Sequence, residues 1–488
     1  MKETNETESE KHRQAEGALA AGAAEVEITP APGVHMAGDM CRLRPVERIL
    51  DPLCARAIVF SNPGDPAAAR VCLLSLDLCT VGDDAADDIR ARVSERFGFR
   101  KEEVMLHLLQ NHSAPALGGH LLMTPDCPQI THELWWTYQG DPGYFDYLVP
   151  RLLDAVNLAL ERVEPVSMGC GGMADGRIAF NRRFVMRDGW VQTQARDLTE
   201  ILHPEGPADP EVGVACFKNR DGEIIAALLH HTAHPVSHFG KPWVTASWPG
   251  QWARQMKSIL GEGCVPVVLN GCCGNVNRHS PIPAAPAADD EQAGQWLTET
   301  SQKVLSQMTW QDVADVGVKS QTISIPYGRI EEVIGPEAVE DSHTLVGREP
   351  EPRWLNAEHT AVDIEWMFAV VTLDVCRRLA GGSYDYEVQT FRLGDLAIVG
   401  LTGEPFVEGQ LRVKGEAPAK RTFVAHMCNG WVGYIPTLHA YRAKNYNFRN
   451  AAGKPVRRGA NLFLLAPDAL DRIVTASLDL LEGLCVDA

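Results

Sequence analysis

Short apolar runs with strand character recur along this chain, and several of them stop abruptly in clusters of polar residues. Segments with helical spacing stand between them. This alternation constrains the fold more than any other feature, because strands feeding helices pack as layers and leave strand-end loops free to carry polar groups. The runs 55–60 and 71–78 read as buried strands, 84–97 as a helix and 104–109 as the next strand. The second half repeats the style, with strands at 224–229, 265–269, 323–325, 396–401 and 422–427 and helices at 250–260, 287–308 and 357–379. Val26 and Ile28 alternate ahead of a Pro/Gly turn and predict an extended start. The expected class is α/β, with layered mixed sheets flanked by helices.

A chain of 488 residues can bury a large core. No linker separates independent cores, so the expectation is a mobile polar tail over 1–21 and one large domain over 22–488, with an irregular polar insertion near 330–352. Gly169-Cys170-Gly171-Gly172 lacks the strand–turn–helix setting of a dinucleotide loop. The net charge of −19 argues against nucleic acid or an anionic membrane surface as partner, since phosphate binding needs clustered Lys and Arg. No apolar run reaches the roughly 18–20 residues of a transmembrane helix. The polar first sixteen residues lack the apolar stretch of a signal peptide, which points to the cytoplasm. Thirteen cysteines, many inside apolar runs (Cys54, Cys72, Cys79, Cys216, Cys264), predict reduced buried thiols.

Polar clusters at the strand ends are the material of a site. They are Gln110-Asn111-His112-Ser113; His230-His231-Thr232-Ala233-His234; Asn270-Gly271-Cys272-Cys273-Gly274-Asn275-Val276-Asn277; and the pair around Glu404 and Tyr434. Each alone is ambiguous. The histidines lack the helical His-Glu-x-x-His spacing, and the adjacent Cys272 and Cys273 lack Cys-x-x-Cys spacing and read as packing residues.

In this order the clusters resemble the catalytic domain of the neutral/alkaline, non-lysosomal ceramidases, from about residue 22 to residue 446. Supports for the resemblance include Ala24-Glu25-Val26-Glu27-Ile28-Thr29-Pro30, Ser75-Leu76-Asp77, Asn181-Arg182-Arg183 and Trp248-Pro249-Gly250, besides Gly403-Glu404-Pro405 and Gly433-Tyr434-Ile435-Pro436-Thr437. The resemblance implies a zinc ion, or another divalent metal, activating water to cleave a substrate amide. It places metal ligands at His234, Glu404 and Tyr434. The family motif Thr-His-Thr-His-Ser-Gly-Pro lines up with 109–115, so its first, zinc-binding histidine falls on Gln110 and its second on His112.

Three departures qualify the resemblance. An amide oxygen at Gln110 is a poorer zinc donor than imidazole, leaving three outcomes: His112 takes over, Gln110 coordinates weakly, or the site holds no metal. A retained metal is the outcome adopted. Asn277 stands where the family has a serine, which favours metal-activated water as nucleophile. His112 is then the candidate general base, and Arg182 or Tyr434 the oxyanion stabiliser. Finally, the family's C-terminal immunoglobulin-like domain has no counterpart after residue 446, which favours a soluble substrate with an amide or ester bond. A related hydrolase or lyase, or an inactive binding protein on the same scaffold, is the alternative, and a homo-oligomer is compatible with either.

Several residues also carry structural readings. Asp77 could cap the following helix, Arg182 and Arg183 could form surface ion pairs, and Trp135 and Trp136 could pack a loop or wall a pocket.

Overall fold

Every residue of Val71–Leu76, Val104–Leu108 and Val265–Asn270 is buried. Strands with no wet face need cover on both sides, and the fold supplies it. The computed structural model describes residues 19–39, 42–63, 69–119, 127–129, 134–282, 288–312, 315–446, 448–449, 455–456 and 462–485. Most of the expected tail over 1–21 therefore lies outside the described residues, and a strand is already running at Ala20.

The larger sheet contains β1 (Ala20–Glu27), β2 (Cys54–Ser61), β3 (Val71–Leu76), β4 (Val104–Leu108), β5 (Glu164–Ala174), β6 (Glu211–Asn219), β7 (Ile224–His231) and β8 (Val265–Asn270). Its order is β8-β7-β6-β5-β1-β2-β3-β4, with the short strand Trp310–Gln311 added beside β5. The terminal pairs β3–β4 and β7–β8 are parallel, and the others are antiparallel. A second sheet holds β9 (Val316–Pro326), β10 (Ser383–Leu393), β11 (Leu396–Leu401) and β12 (Arg421–Ala425) in chain order, its last pair parallel.

Alternating side chains divide each strand between two layers. Leu73 and Met105 join Phe60, Phe217, Phe391, Ile398 and Phe423 in the core between the sheets. Their neighbours Leu74 and Leu106 face the helices α1 (Asp83–Phe97) and α2 (Pro142–Glu161). Helices α3 (Ser247–Leu260) and α4 (Asp290–Ser306) cover β6–β8. The arrangement is helix–sheet–sheet–helix, closed by α7 (Val407–Glu416) and α8 (Ala469–Cys485) on the second sheet. Among the described residues no helix is long and apolar enough to cross a membrane.

The two edge strands of the large sheet approach one another. Ser75 Oγ on β3 donates to the Val268 carbonyl on β8 at 3.0 Å, and the Asn270 amide donates to His107 Nε2 at 3.1 Å. The chain leaving β12 joins them, since His426 N bonds Asn270 O and Asn429 N bonds Leu106 O. The carboxyl ends of β4, β7, β8, β11 and β12 thus face one region, the position where α/β sheets place ligands.

Several expectations need correction. The stretch 330–352 is not irregular, because Pro336 opens the helix α5 (Pro336–Arg348), whose Val346 packs against α6 (Ile364–Leu379). The helix expected from 357 begins later, where the Asp363 side chain accepts from Trp366 N at 2.9 Å. Gly169, Gly171 and Gly172 lie inside strand β5, in agreement with the reading that 169–172 is no dinucleotide loop. A Cβ at Gly169 would stand 2.4 Å from Met308 Sδ, so glycine permits that close packing.

Asp77 does not cap α1, which starts behind Gly82 without a side-chain cap. It is instead fully buried, accepts from Cys54 N at 2.8 Å and pairs with Arg56 at 2.7 Å. Glu25 holds the other side of the same guanidinium. Removing one partner of a buried pair typically costs about 3–5 kcal/mol. Asp77→Ala is expected near the lower end of that range, since Glu25 remains. Urea unfolding checks this, and a loss below about 1 kcal/mol would contradict the pairing argument.

Candidate active site

His234 follows β7, where its backbone bridges to Asn277 and its amide bonds Val276 O. Its ring Nδ1 donates to the Cys273 carbonyl at 2.6 Å, with Val276 O farther away at 3.2 Å. That bond fixes the tautomer and leaves the Nε2 lone pair free. Burial, with the Arg182 charge second, pushes the His234 pKa well below the ordinary histidine range.

Glu404 follows β11 and sits in a short parallel bridge with Tyr434. Its Oε2 is 3.4 Å from His234 Nε2. Both atoms are buried, and among the described residues neither has a hydrogen-bond partner. The other carboxylate oxygen accepts from Trp431 Nε1 at 2.9 Å. Burial first, then the Glu404 charge, raises the pKa of the Tyr434 phenol. The Arg182 Nε and Nη2 donate to Gly274 O at 3.1 and 2.6 Å, while its guanidinium lies 5.4 Å from the Tyr434 ring centre.

His112 brings a second imidazole edge-on to His234, with centroids 5.4 Å apart. Among the described residues its Nδ1 has no partner. Burial and then His234 push its pKa down to about 3, against the opposing pull of Glu404, so it is neutral at ordinary pH. Asn277 Oδ1 is a further buried atom without a partner.

Gln110 is buried in the left-handed region at φ 59°, an uncommon place for a residue with a side chain. Its amide oxygen accepts from the Cys273 thiol at 3.7 Å. Cys273 Sγ also meets Asn270 Nδ2 and His426 Nε2, each at 3.6 Å. A thiol expected to be mere packing is therefore the centre of a buried polar cluster.

The structure thus brings together His234, Glu404, Tyr434, Arg182 and His112, with Gln110 and Asn277 at the margins. Sequence reasoning missed His107, Cys273, His426 and Trp431. Only their positions at strand ends could have signalled them. The surface reading of Arg182 and Arg183 is corrected, since both are buried and Arg183 binds Glu205 and Asn445. Trp136 stacks on His35 at 4.5 Å within the α6 core, which makes it a packing residue.

Among the described residues no group of three His, Cys, Asp or Glu side chains is gathered in a way that could hold a metal ion. The observed set is one imidazole, one carboxylate and one phenol. A buried polar atom without a partner is costly, and here two such atoms face each other at 3.4 Å.

These features define a class: a layered α/β protein with a buried histidine–carboxylate pair and a half-buried phenol at the carboxyl ends of its strands. No family model matches the chain, and no curated protein matches it. Among solved structures it is similar to a ceramidase complexed with C2, at TM-score 0.68 and 15% identity over 96% of this chain and 76% of that one. It is also similar to neutral ceramidase from Pseudomonas aeruginosa, at TM-score 0.67 and 16% identity over 96% and 74% of the two chains. The chain has the ceramidase catalytic-domain fold.

Two other buried histidines generate a test of pH dependence. Burial pushes His107 and His230 down to about 4. The unfolded chain binds their protons near pH 6.5 and the folded chain does not, so stability is complete above that pH and is lost as pH falls towards 4. Each histidine adds a slope of at most about 1.4 kcal/mol per pH unit within that window. His230→Gln is expected to flatten urea-derived stability against pH by about one proton's worth. An unchanged slope would show that His230 titrates normally in the folded protein.

Proposed function

We propose that this protein is a metal-dependent hydrolase that cleaves the amide C–N bond of a small N-acylated substrate by activated water. The observation that carries the reading is the 3.4 Å approach of His234 Nε2 and Glu404 Oε2, both buried and both without another partner. These atoms fit a shared divalent cation such as zinc, with Tyr434 as the third donor. A nitrogen, a carboxylate oxygen and a phenol oxygen suit a borderline metal. The ceramidase fold agrees with this reaction class.

A divalent cation held there supplies Lewis acidity and lowers the pKa of a water molecule. The chain's own residues do the rest. His234 is kept neutral, with its lone pair aimed inward by the Cys273 carbonyl. His112 is neutral and has an unpartnered Nδ1, so it can accept the proton released as water attacks. Tyr434 stays protonated and, with Arg182, provides donors for the oxyanion as the carbonyl carbon becomes tetrahedral. Burial of His234, Glu404 and Arg182 keeps bulk water from that side of the site, which strengthens their interactions.

Metal analysis of the purified protein is expected to find one equivalent of zinc, lost from His234→Ala and Glu404→Ala. A panel of N-acylated amines and esters, assayed for released amine or acid, is expected to show amide cleavage that a chelator abolishes. Tyr434→Phe is expected to lower kcat by roughly 10²-fold, the scale of one lost oxyanion donor. Amide cleavage by metal-free protein would sink the metal reading. Ligand binding with no turnover would favour a binding protein instead.

A further inference from the structure

The two oxygens of Glu404 have different surroundings. Oε2 faces His234 and has no partner, whereas Oε1 accepts the Trp431 indole N–H at 2.9 Å. An indole is a donor only and can never be a metal ligand. Its place on Oε1 therefore leaves Oε2 as the oxygen presented to the site. From the metal-dependent reading above, on which this rests, we infer that Trp431 is a positioning residue for Glu404, holding it to one-oxygen binding, and that Asp83 in turn holds Trp431.

The second link is as direct as the first. Trp431 N donates to Asp83 Oδ1 at 3.3 Å, and the Tyr384 hydroxyl donates to the same oxygen at 2.9 Å. A Cβ at Gly430 would stand 2.4 Å from Asp83 Oδ1, so the absence of a side chain there is what lets Asp83 reach the loop. The loops bearing Glu404 and Trp431 are also tied together, through Thr402 Oγ1 to Cys428 O at 3.0 Å and Glu404 N to Gly433 O at 2.9 Å. Asp83, Tyr384, Thr402 and Asn429 line a polar cleft of about 680 Å³. Cation affinity is thereby set in part from that cleft, through a chain running Asp83, Trp431, Glu404.

Zinc affinity, measured by competition with a chromogenic chelator, tests the chain in wild type, Trp431→Phe, Asp83→Ala and the double variant. Loss of an outer partner of a metal ligand typically costs 10–100-fold in affinity, and about that weakening is expected for Trp431→Phe, which keeps ring bulk and removes the N–H. Asp83→Ala is expected to weaken binding by less. The double variant is expected to be no weaker than Trp431→Phe alone, because both changes act through one hydrogen bond. The thermal midpoint of the metal-free proteins separates this from damage to packing.

Trp431→Phe with wild-type affinity, within about two-fold, would overturn the inference, and additive losses would remove Asp83 from it. If Trp431→Phe fails to fold, Asp83→Ala decides, since the Asp83 side chain is 41% exposed. Unchanged affinity in that variant would then overturn the inference. Absence of zinc binding by the wild-type protein would sink the underlying metal reading itself.

Discussion

One buried imidazole joins the parts of this molecule that must meet. His107 Nε2 accepts from the Asn270 amide at 3.1 Å, and its Nδ1 donates to the His426 carbonyl at 2.7 Å. It therefore links β4 to β8, the two edges of the large sheet, and ties both to the chain leaving β12. Edge strands present unpaired backbone groups that need partners when buried, and a neutral imidazole supplies one acceptor and one donor at once. Burial keeps it neutral by pushing its pKa to about 4. A protonated ring would have two donors and no acceptor for Asn270.

The candidate site inherits its geometry from that junction. Gln110 and His112 leave β4 just beyond His107, and Asn270 opens the turn that carries Cys273 and Asn277. Glu404 and Trp431 leave β11 and β12 on the other sheet. The four-layer packing brings these loops to one place because the sheets share a core, with Met105, Leu269, Ile398 and Phe423 in a single cluster. The site is held by backbone as much as by side chains: the Cys273 and Gly274 carbonyls orient His234 and Arg182. Side-chain chemistry at 273 could thus change while the carbonyl that aims His234 stayed in place.

Much of the layering was legible in the sequence, because strands buried on both faces leave largely apolar runs such as 71–78 and 265–269. Other elements hid themselves. Strand β5 carries Gly169 and Gly171 against Met308 and Val304, and Gly172 against Glu211 and Arg421, and these glycines erase its pattern. Helix α5 buries only a thin stripe around Val346, so its polar surface dominated. At the site, His234, Glu404, Tyr434, Gln110 and Arg182 were singled out through resemblance, while their mutual approach belongs to tertiary structure. His426 was hidden for a physical reason: a polar residue satisfied inside a core looks, in one dimension, like any residue beside an apolar run, while Cys273 stood in a polar cluster but without metal-binding spacing.

The energetics of the Glu404–His234 contact bear on why such a pair persists. A carboxylate oxygen and an imidazole nitrogen face each other with no proton donor between them, and both His234 and His112 are held neutral by burial. Leaving a buried acceptor unsatisfied costs roughly 1–3 kcal/mol, more for a charged group. Gln110 adds backbone strain of the left-handed kind, about 1–2 kcal/mol for a residue with a side chain. Strain and unmet polar atoms are costs that a core optimised for stability would not carry. On the proposed reading the cation offsets the first cost, and the Trp431 N–H on Oε1 keeps the carboxylate from relieving it by turning away.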